Sequence, residues 1–172
     1  MAETKISTAR IILGATIFVI LFHLFFLDIS GITGTSMEPT LREGEVVLIF
    51  RLAYGLQLPL VNRYLVFWHA VEAGDLVVFN SPLDNRTVVK RCIAVEGTPI
   101  EIQGGILRLE GQTFPLTKEL SENLFGCTRV PEKTILVLGD NRNRSIDSRS
   151  YGFIPRERIR GKVIGHNKGR TS

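Results

Sequence analysis

Hydrophobic and polar positions follow two different rhythms along this chain. From Ile11 to Leu27 the sequence reads "IILGATIFVILFHLFFL", seventeen residues without a formal charge, bounded by Arg10 and Asp28. The run is apolar all round, whereas a helix packed on a soluble core would show one apolar face. As a helix it spans roughly 25 Å, the short end of what crosses a bilayer. A cleaved signal peptide would carry an apolar core of about 7–15 residues followed by a small-x-small site, and "LDISG" offers no good site. A retained anchor over 11–27 is therefore expected, with 1–10 as a cytoplasmic N-terminus and 28–172 as a domain beyond the membrane. Lys5 and Arg10 precede the run, and no Lys or Arg follows until Arg42. The positive-inside rule then puts residues 28–172 outside. His23, inside the run, reads as a tolerated interior or interfacial residue and not a ligand.

After Asp28 the helical period disappears. "EVVLIF", "DLVVFN", "TVVKRCIAV" and "KTILVLG" are short runs rich in Val, Ile and Leu, punctuated by Gly, Pro, Asn and Asp, as strands are. Gly104-Gly105 lies between "IEI" and "ILRL", a hairpin pattern, and "RIRGKVIG" predicts a last strand. Only "TKELSENLF" reads as a short helix. The expected fold class is mainly β: an extracytoplasmic domain of antiparallel sheets behind one N-terminal transmembrane helix. The stretch 52–73, "LAYGLQLPLVNRYLVFWHAVEA", is unusually aromatic for a connection, with Tyr54, Tyr64, Phe67 and Trp68. Such residues favour a bilayer interface; the competing reading is a hairpin packed on the core.

Length and charge alter this picture little. At 172 residues one principal domain is expected. The net charge of +4 hides an asymmetry: residues 139–172 carry nine Lys/Arg and three Asp/Glu. A basic tail can attract nucleic acid or anionic lipid, or be a solvated surface; an extracytoplasmic location argues against nucleic acid. Cys92 and Cys127 lack metal-ligand spacing. They either pair in an oxidising compartment or, since Cys92 falls in an apolar strand pattern, Cys92 is a buried thiol.

Candidate chemistry begins at "GTSMEPTL", Gly34 to Leu41, where Ser36 sits between a Gly-Thr pair and a Met-Glu-Pro turn. A serine hydroxyl needs a base beside it at neutral pH. The chain has only three histidines, His23, His69 and His166. In "RTVVKRCIAVEG" strand alternation puts Val88, Lys90 and Cys92 on one face. Burial among apolar neighbours disfavours an ammonium and lowers a lysine pKa, and a neutral lysine is a competent general base. In "GDNRNRSIDSRSYGFIP", Gly139 to Pro155, Ser145, Asp147 and Arg149 alternate, which in an extended strand puts them on one face. Asp147 and Arg149 could pair there, and Ser145 could present its hydroxyl. A calcium loop fails, because Arg142 and Arg144 would take ligand positions and no Gly follows at the sixth.

These three motifs, with "GDLVVF" between the serine and lysine motifs, stand in one order behind one N-terminal anchor, and the chain resembles type I signal peptidases, membrane-bound serine proteases with a Ser/Lys dyad. The resemblance implies Ser36 as nucleophile and Lys90 as general base. It implies Ser145 as the residue that orients the lysine, with Asp147 and Arg149 bracing that region. The Ser36 backbone N–H would serve the oxyanion hole; some family members add a serine hydroxyl two residues earlier, where this chain has Gly34. By position in the motifs, Ile32, Met37, Leu41, Val47, Val78 and Val89 match shallow pockets that select small side chains, and each is also a good core residue. No metal or cofactor is implied. Implied partners are the signal peptides of exported preproteins, the lipid bilayer and the secretion translocon, at a bacterial plasma membrane. A conjugative pilin-processing peptidase and a mitochondrial inner-membrane peptidase are the specialised rivals; an inactive membrane-tethered binding module is the rival from another class.

Overall fold

The computed structural model describes residues 8–58, 63–109 and 111–167. Residues 1–7 with Lys5, residues 59–62 of the aromatic stretch, Lys168, Arg170 and the side chain of His23 lie outside the described residues. The first element is α1, Thr8–Phe25. Its eighteen residues rise about 27 Å, and Ile11, Ile12, Leu13, Ile17, Phe18, Val19 and Ile20 are all exposed. Among the described residues no helix is long and apolar enough to cross a membrane.

The uncharged run does not stay helical to Leu27. The helix stops at Phe25, and Leu27 opens β1, Leu27–Gly31. Its partner is β2, Val46–Phe50, with Leu27 opposite Phe50 and Asp28 opposite Ile49. Arg51 N–H donates to Phe26 C=O at 3.0 Å, closing the corner. Ladder bonds to β2 thus hold the backbone at the end of the uncharged run, and the helix covers Thr8–Phe25.

Next come the hairpin β3 (Gly55–Leu58) and β4 (Arg63–Phe67), then β5 (Leu76–Asn80) and β6 (Thr87–Val95). A meander of β7 (Glu101–Gln103), β8 (Ile106–Leu109) and β9 (Gln112–Pro115) leads to α2 (Lys118–Asn123). The chain ends with β10 (Thr134–Leu138), α3 (Ser148–Tyr151), β11 (Ile154–Pro155) and β12 (Ile159–Asn167). Seven strands form one sheet in the order β1-β2-β12-β5-β6-β10-β11, and every pairing in it is antiparallel. The fold is mainly β, as the Val- and Ile-rich runs predict. Gly104 and Gly105 join β7 to β8 with φ of +58° and +75°, the backbone that a two-residue hairpin turn requires. The Thr117 hydroxyl caps α2 by accepting from Leu120 N–H at 3.2 Å, as helix starts favour.

Three buried clusters hold these layers. Ile93, Leu107, Leu120 and Leu136 join the sheet to the meander and α2. Tyr54, Phe79, Cys92 and Val137 pack beneath the β3–β4 hairpin. Met37, Leu41, Val47, Ile49, Val78 and Val163 form the third, under the Ser36 loop. Cys92 is buried, Cys127 half-buried, and no disulfide joins them. The hairpin packs on the core through its tyrosines: Tyr54 OH donates to Asp75 Oδ2 at 2.8 Å and Tyr64 OH to Ile159 C=O at 2.8 Å. Leu65, Val66 and Trp68 instead face outward, Trp68 with 54% of its surface exposed.

Candidate active site

The loop between β1 and β2 carries Ser36. Gly34 precedes it at φ +99°, a left-handed backbone that costs an L-residue but not glycine. Leu41 N–H donates to Met37 C=O at 2.9 Å, and both side chains are buried in the third cluster, so the loop is pinned from below. From the far side Asn141 N–H donates to Ser36 C=O at 3.0 Å. Among the described residues the Ser36 N–H itself has no acceptor.

Lys90 comes from the middle of β6, opposite Val77 of β5 and between Val88 and Cys92 on its own face. It is only 3% exposed. Lys90 Nζ lies 2.7 Å from Ser36 Oγ. Burial pulls its pKa below that of an ordinary lysine; Asp147 opposes the shift and Arg149 adds to it. Neither described histidine side chain reaches the serine: His69 faces Glu72 at 3.7 Å and His166 faces Glu45 at 3.1 Å. A buried amine on a hydroxyl, with no competing carboxylate bond, is an arrangement that can pass a proton from oxygen to nitrogen.

The segment 139–155 departs from the extended reading. A 3-10 turn takes Arg142–Arg144, Ser145 and Asp147 keep extended backbone, and Asp147 caps the helix α3 by accepting from Arg149 N–H at 3.2 Å. Asp147 and Arg149 do pair, Nε to Oδ1 at 2.9 Å, but through a helix cap and not a strand face. Asp147 is fully buried and also accepts from Gly139 N–H at 3.0 Å. Burial pushes its pKa up, yet the bonds from Arg149 and Gly139 hold it below the usual carboxylate range. Arg149 continues to the carbonyls of Arg142 and Ser145 at 2.7 and 3.1 Å, stitching the loop shut. The Ser145 hydroxyl is buried against Gly139 and makes no hydrogen bond of good geometry among the described residues, though it lies near enough to Asp147 to help hold that carboxyl's pKa down. The expected bond from Ser145 to Lys90 is thus not made in this structure.

Beside Ser36 a small cleft of about 80 Å³ is lined by Ile32, Met37, Val78 and Val89, together with Gly34, Thr33 and Val88. Leu41 and Val47 do not reach it. Both are fully buried in the third cluster, behind Met37, Ile49 and Val78, which do line the cleft. Sequence reasoning missed the clamp next to the site. Arg91, neighbour to Lys90 on the opposite face of β6, binds Asp140 with Nε at 2.8 Å and Nη2 at 2.7 Å. Thr40 Oγ1 donates to the same carboxylate at 2.6 Å. This ties the Ser36 loop, β6 and the 139–147 loop together. Residues 49 positions apart leave no local pattern; the signal available was the alternation that puts Arg91 opposite Lys90.

A family model described as signal peptidase, peptidase S26, matches residues 5–165. A probable signal peptidase I-2 of Synechocystis is 31% identical over 94% of this chain and 72% of its own length. A signal peptidase I of Bacillus licheniformis is 30% identical over 88% of this chain and 82% of its own. A crystal structure of a signal peptidase I from Enterococcus faecalis V583 aligns with 55% of this chain and 97% of its own, at 26% identity and a TM-score of 0.42. The family match runs from the N-terminal helix into the last strand, and by it the chain belongs to the signal peptidase family, peptidase S26.

Proposed function

We propose that Ser36 and Lys90 are the nucleophile and general base with which this serine peptidase removes N-terminal signal peptides from exported preproteins. The observation that carries the dyad is the 2.7 Å approach of a lysine only 3% exposed to the Ser36 hydroxyl. Lys90 starts neutral, held so by burial, and accepts the Oγ proton as Oγ attacks the scissile carbonyl. The resulting ammonium gives that proton to the departing amine, leaving an acyl-serine. A water then attacks the ester, Lys90 takes its proton, and Ser36 is restored. The Ser36 N–H, lacking an acceptor of its own, is the proposed oxyanion donor. The small cleft suits the small side chains at the first and third positions before the cut. Ser145, Asp147 and Arg149 keep Gly139 and the Ser36 carbonyl in place, Asp147 and Arg149 through the bonds described and Ser145 through contact.

The site of action is the outer face of a bacterial plasma membrane, where the translocon delivers preproteins. In this reading the N-terminal segment that contains α1 is the anchor: the described apolar side chains from Ile11 to Ile20 are exposed. The outward Leu65, Val66 and Trp68 of the hairpin would meet the interface, since Arg51 and Phe26 join the end of α1 to the chain entering the hairpin. Incubating the purified chain with a preprotein and mapping the new N-terminus tests the activity. Cleavage after a small-x-small site, absent in Ser36→Ala, is the expected result; cleavage by Ser36→Ala would refute the nucleophile.

A further inference from the structure

The cleft beside Ser36 does not end at the residues that fit small side chains. Ser30, Ile49, Val78 and Thr87 line it and also line a second cavity of about 110 Å³, whose other walls are Asp28, Ile29, Arg51 and Arg160. The two are one trough, apolar near Ser36 and charged at the far end. Four separate strands deliver the charged end: Asp28 from β1, Arg51 just past β2, Arg160 from β12 and Thr87 from β6.

The charges there do not cancel. Arg51 Nη1 stands 3.8 Å from Asp28 Oδ2, a loose pair whose carboxylate is 47% exposed. Arg160 Nη1 donates to the Thr87 hydroxyl at 3.2 Å, and no carboxylate among the described residues pairs with it. The two guanidiniums are close enough that Arg160, after burial, helps lower the pKa of Arg51. A trough with two guanidiniums and one half-solvated carboxylate favours an incoming anion. Guanidinium binds a carboxylate through paired N–H donors, which makes the contact directional as well as electrostatic.

We infer that the charged end of this trough, formed by Arg51 and Arg160, is a distal specificity subsite that takes an acidic side chain of the substrate upstream of the scissile bond. The inference rests on the signal-peptidase reading of the Ser36 cleft. From Ile32 to Asp28 an extended strand covers roughly 13 Å, so an extended peptide reaches the arginines about four residues beyond the pocket for small side chains. That places the acidic residue five to seven positions before the cut.

The test uses the full chain in detergent and fluorogenic peptides identical except for Asp, Asn or Lys at the fifth, sixth or seventh position before the cut. At one of these positions Asp is expected to raise kcat/KM about fivefold over Asn, with Lys below both, and the preference should shrink as salt screens it. In Arg160→Gln the Asp-to-Asn ratio should fall toward one, and in Arg160→Lys part of it should remain. Equal rates for Asp and Asn at all three positions in the wild type, or an undiminished ratio in Arg160→Gln, would overturn the subsite and leave the peptidase reading intact. Failure to cut any of the peptides would overturn the reading beneath it as well.

Discussion

Gly139 is the residue on which the site's geometry depends most directly, and Gly139→Ala perturbs it with a single methyl. The new Cβ would lie 2.1 Å from Ser145 Oγ, 2.5 Å from Ser145 Cβ and 2.5 Å from the Ser36 carbonyl oxygen. Carbon and oxygen pack at no less than about 3.5 Å without strain, so each contact is overlapped by an ångström or more. Ser145 can rotate its hydroxyl away. The Ser36 carbonyl cannot yield so cheaply, because Asn141 N–H holds it at 3.0 Å and its own residue carries the Oγ that meets Lys90. Overpacking of this kind costs about 1–3 kcal/mol, which for a chain of this size lowers Tm by about 5 °C. A displacement near 1 Å at a reacting group costs on the order of 10²-fold in rate. Differential scanning fluorimetry and preprotein processing read the two effects. Adding Ser145→Gly removes two of the three overlaps, so it should restore part of the Tm and little of the rate. Wild-type Tm and rate in Gly139→Ala would refute the packing argument.

Other expectations follow from the same geometry. Lys90→Met should abolish processing yet raise stability near neutral pH by on the order of 1 kcal/mol, because it removes a buried amine. As the folded pKa of Lys90 is lowered, the unfolded chain binds the extra proton between the two pKa values; wild-type stability relative to Lys90→Met should therefore rise from neutral pH toward the ordinary lysine range, as denaturant titrations at several pH values will show. Asp147→Asn strands the Arg149 guanidinium and weakens the α3 cap, and a loss of about 3 kcal/mol in urea unfolding is expected. The depressed pKa of Asp147 adds that its contribution persists at neutral pH and is lost only as pH falls below the usual carboxylate range. Ser145→Ala removes a buried hydroxyl that has no well-formed hydrogen bond and only assists the ionised Asp147, so Tm should fall little while processing falls less than in Ser36→Ala. Trp68 is the chain's only tryptophan; in full-length protein reconstituted with brominated lipids its fluorescence should be quenched, and unquenched emission would count against the hairpin meeting the bilayer.

How much of this was legible in the sequence depends on how local the cause is. β6 spans Thr87–Val95, the whole of "TVVKRCIAV", because alternation and β-branched content are written in consecutive residues. The same alternation put Lys90 on a buried face. The end of α1 was not legible, since Phe26 and Leu27 are as apolar as the helix before them and only pairing with Phe50 makes Leu27 a strand. Around Asp147 the alternation Ser-Ile-Asp-Ser-Arg looked extended, but a capping aspartate two residues before Arg149 starts a helix just as readily. Gly152 at φ +72° ends it. Leu41 and Val47 lie one layer behind the cleft, under Met37, Ile49 and Val78, and a motif read along the chain does not distinguish a wall from the residues packed behind it. The Arg91–Asp140 clamp and the arginine-lined end of the trough had no local signature at all, being assembled by the order in which β1, β2, β12, β5 and β6 lie side by side.

The central claim is that Lys90 works by losing its proton. Arginine keeps the charge and most of the length but is not deprotonated in proteins. The decisive measurement is kcat/KM for Lys90→Arg on a preprotein substrate across pH, beside wild type and Lys90→Ala. The wild-type rate should rise with pH through a lysine pKa lowered by burial. Lys90→Arg should show no such rise, and should lose at least about 10²-fold in rate, much as Lys90→Ala does. A Lys90→Arg enzyme with more than about a tenth of wild-type activity would contradict the dyad, because a group that cannot accept a proton would then be doing the work assigned to a base.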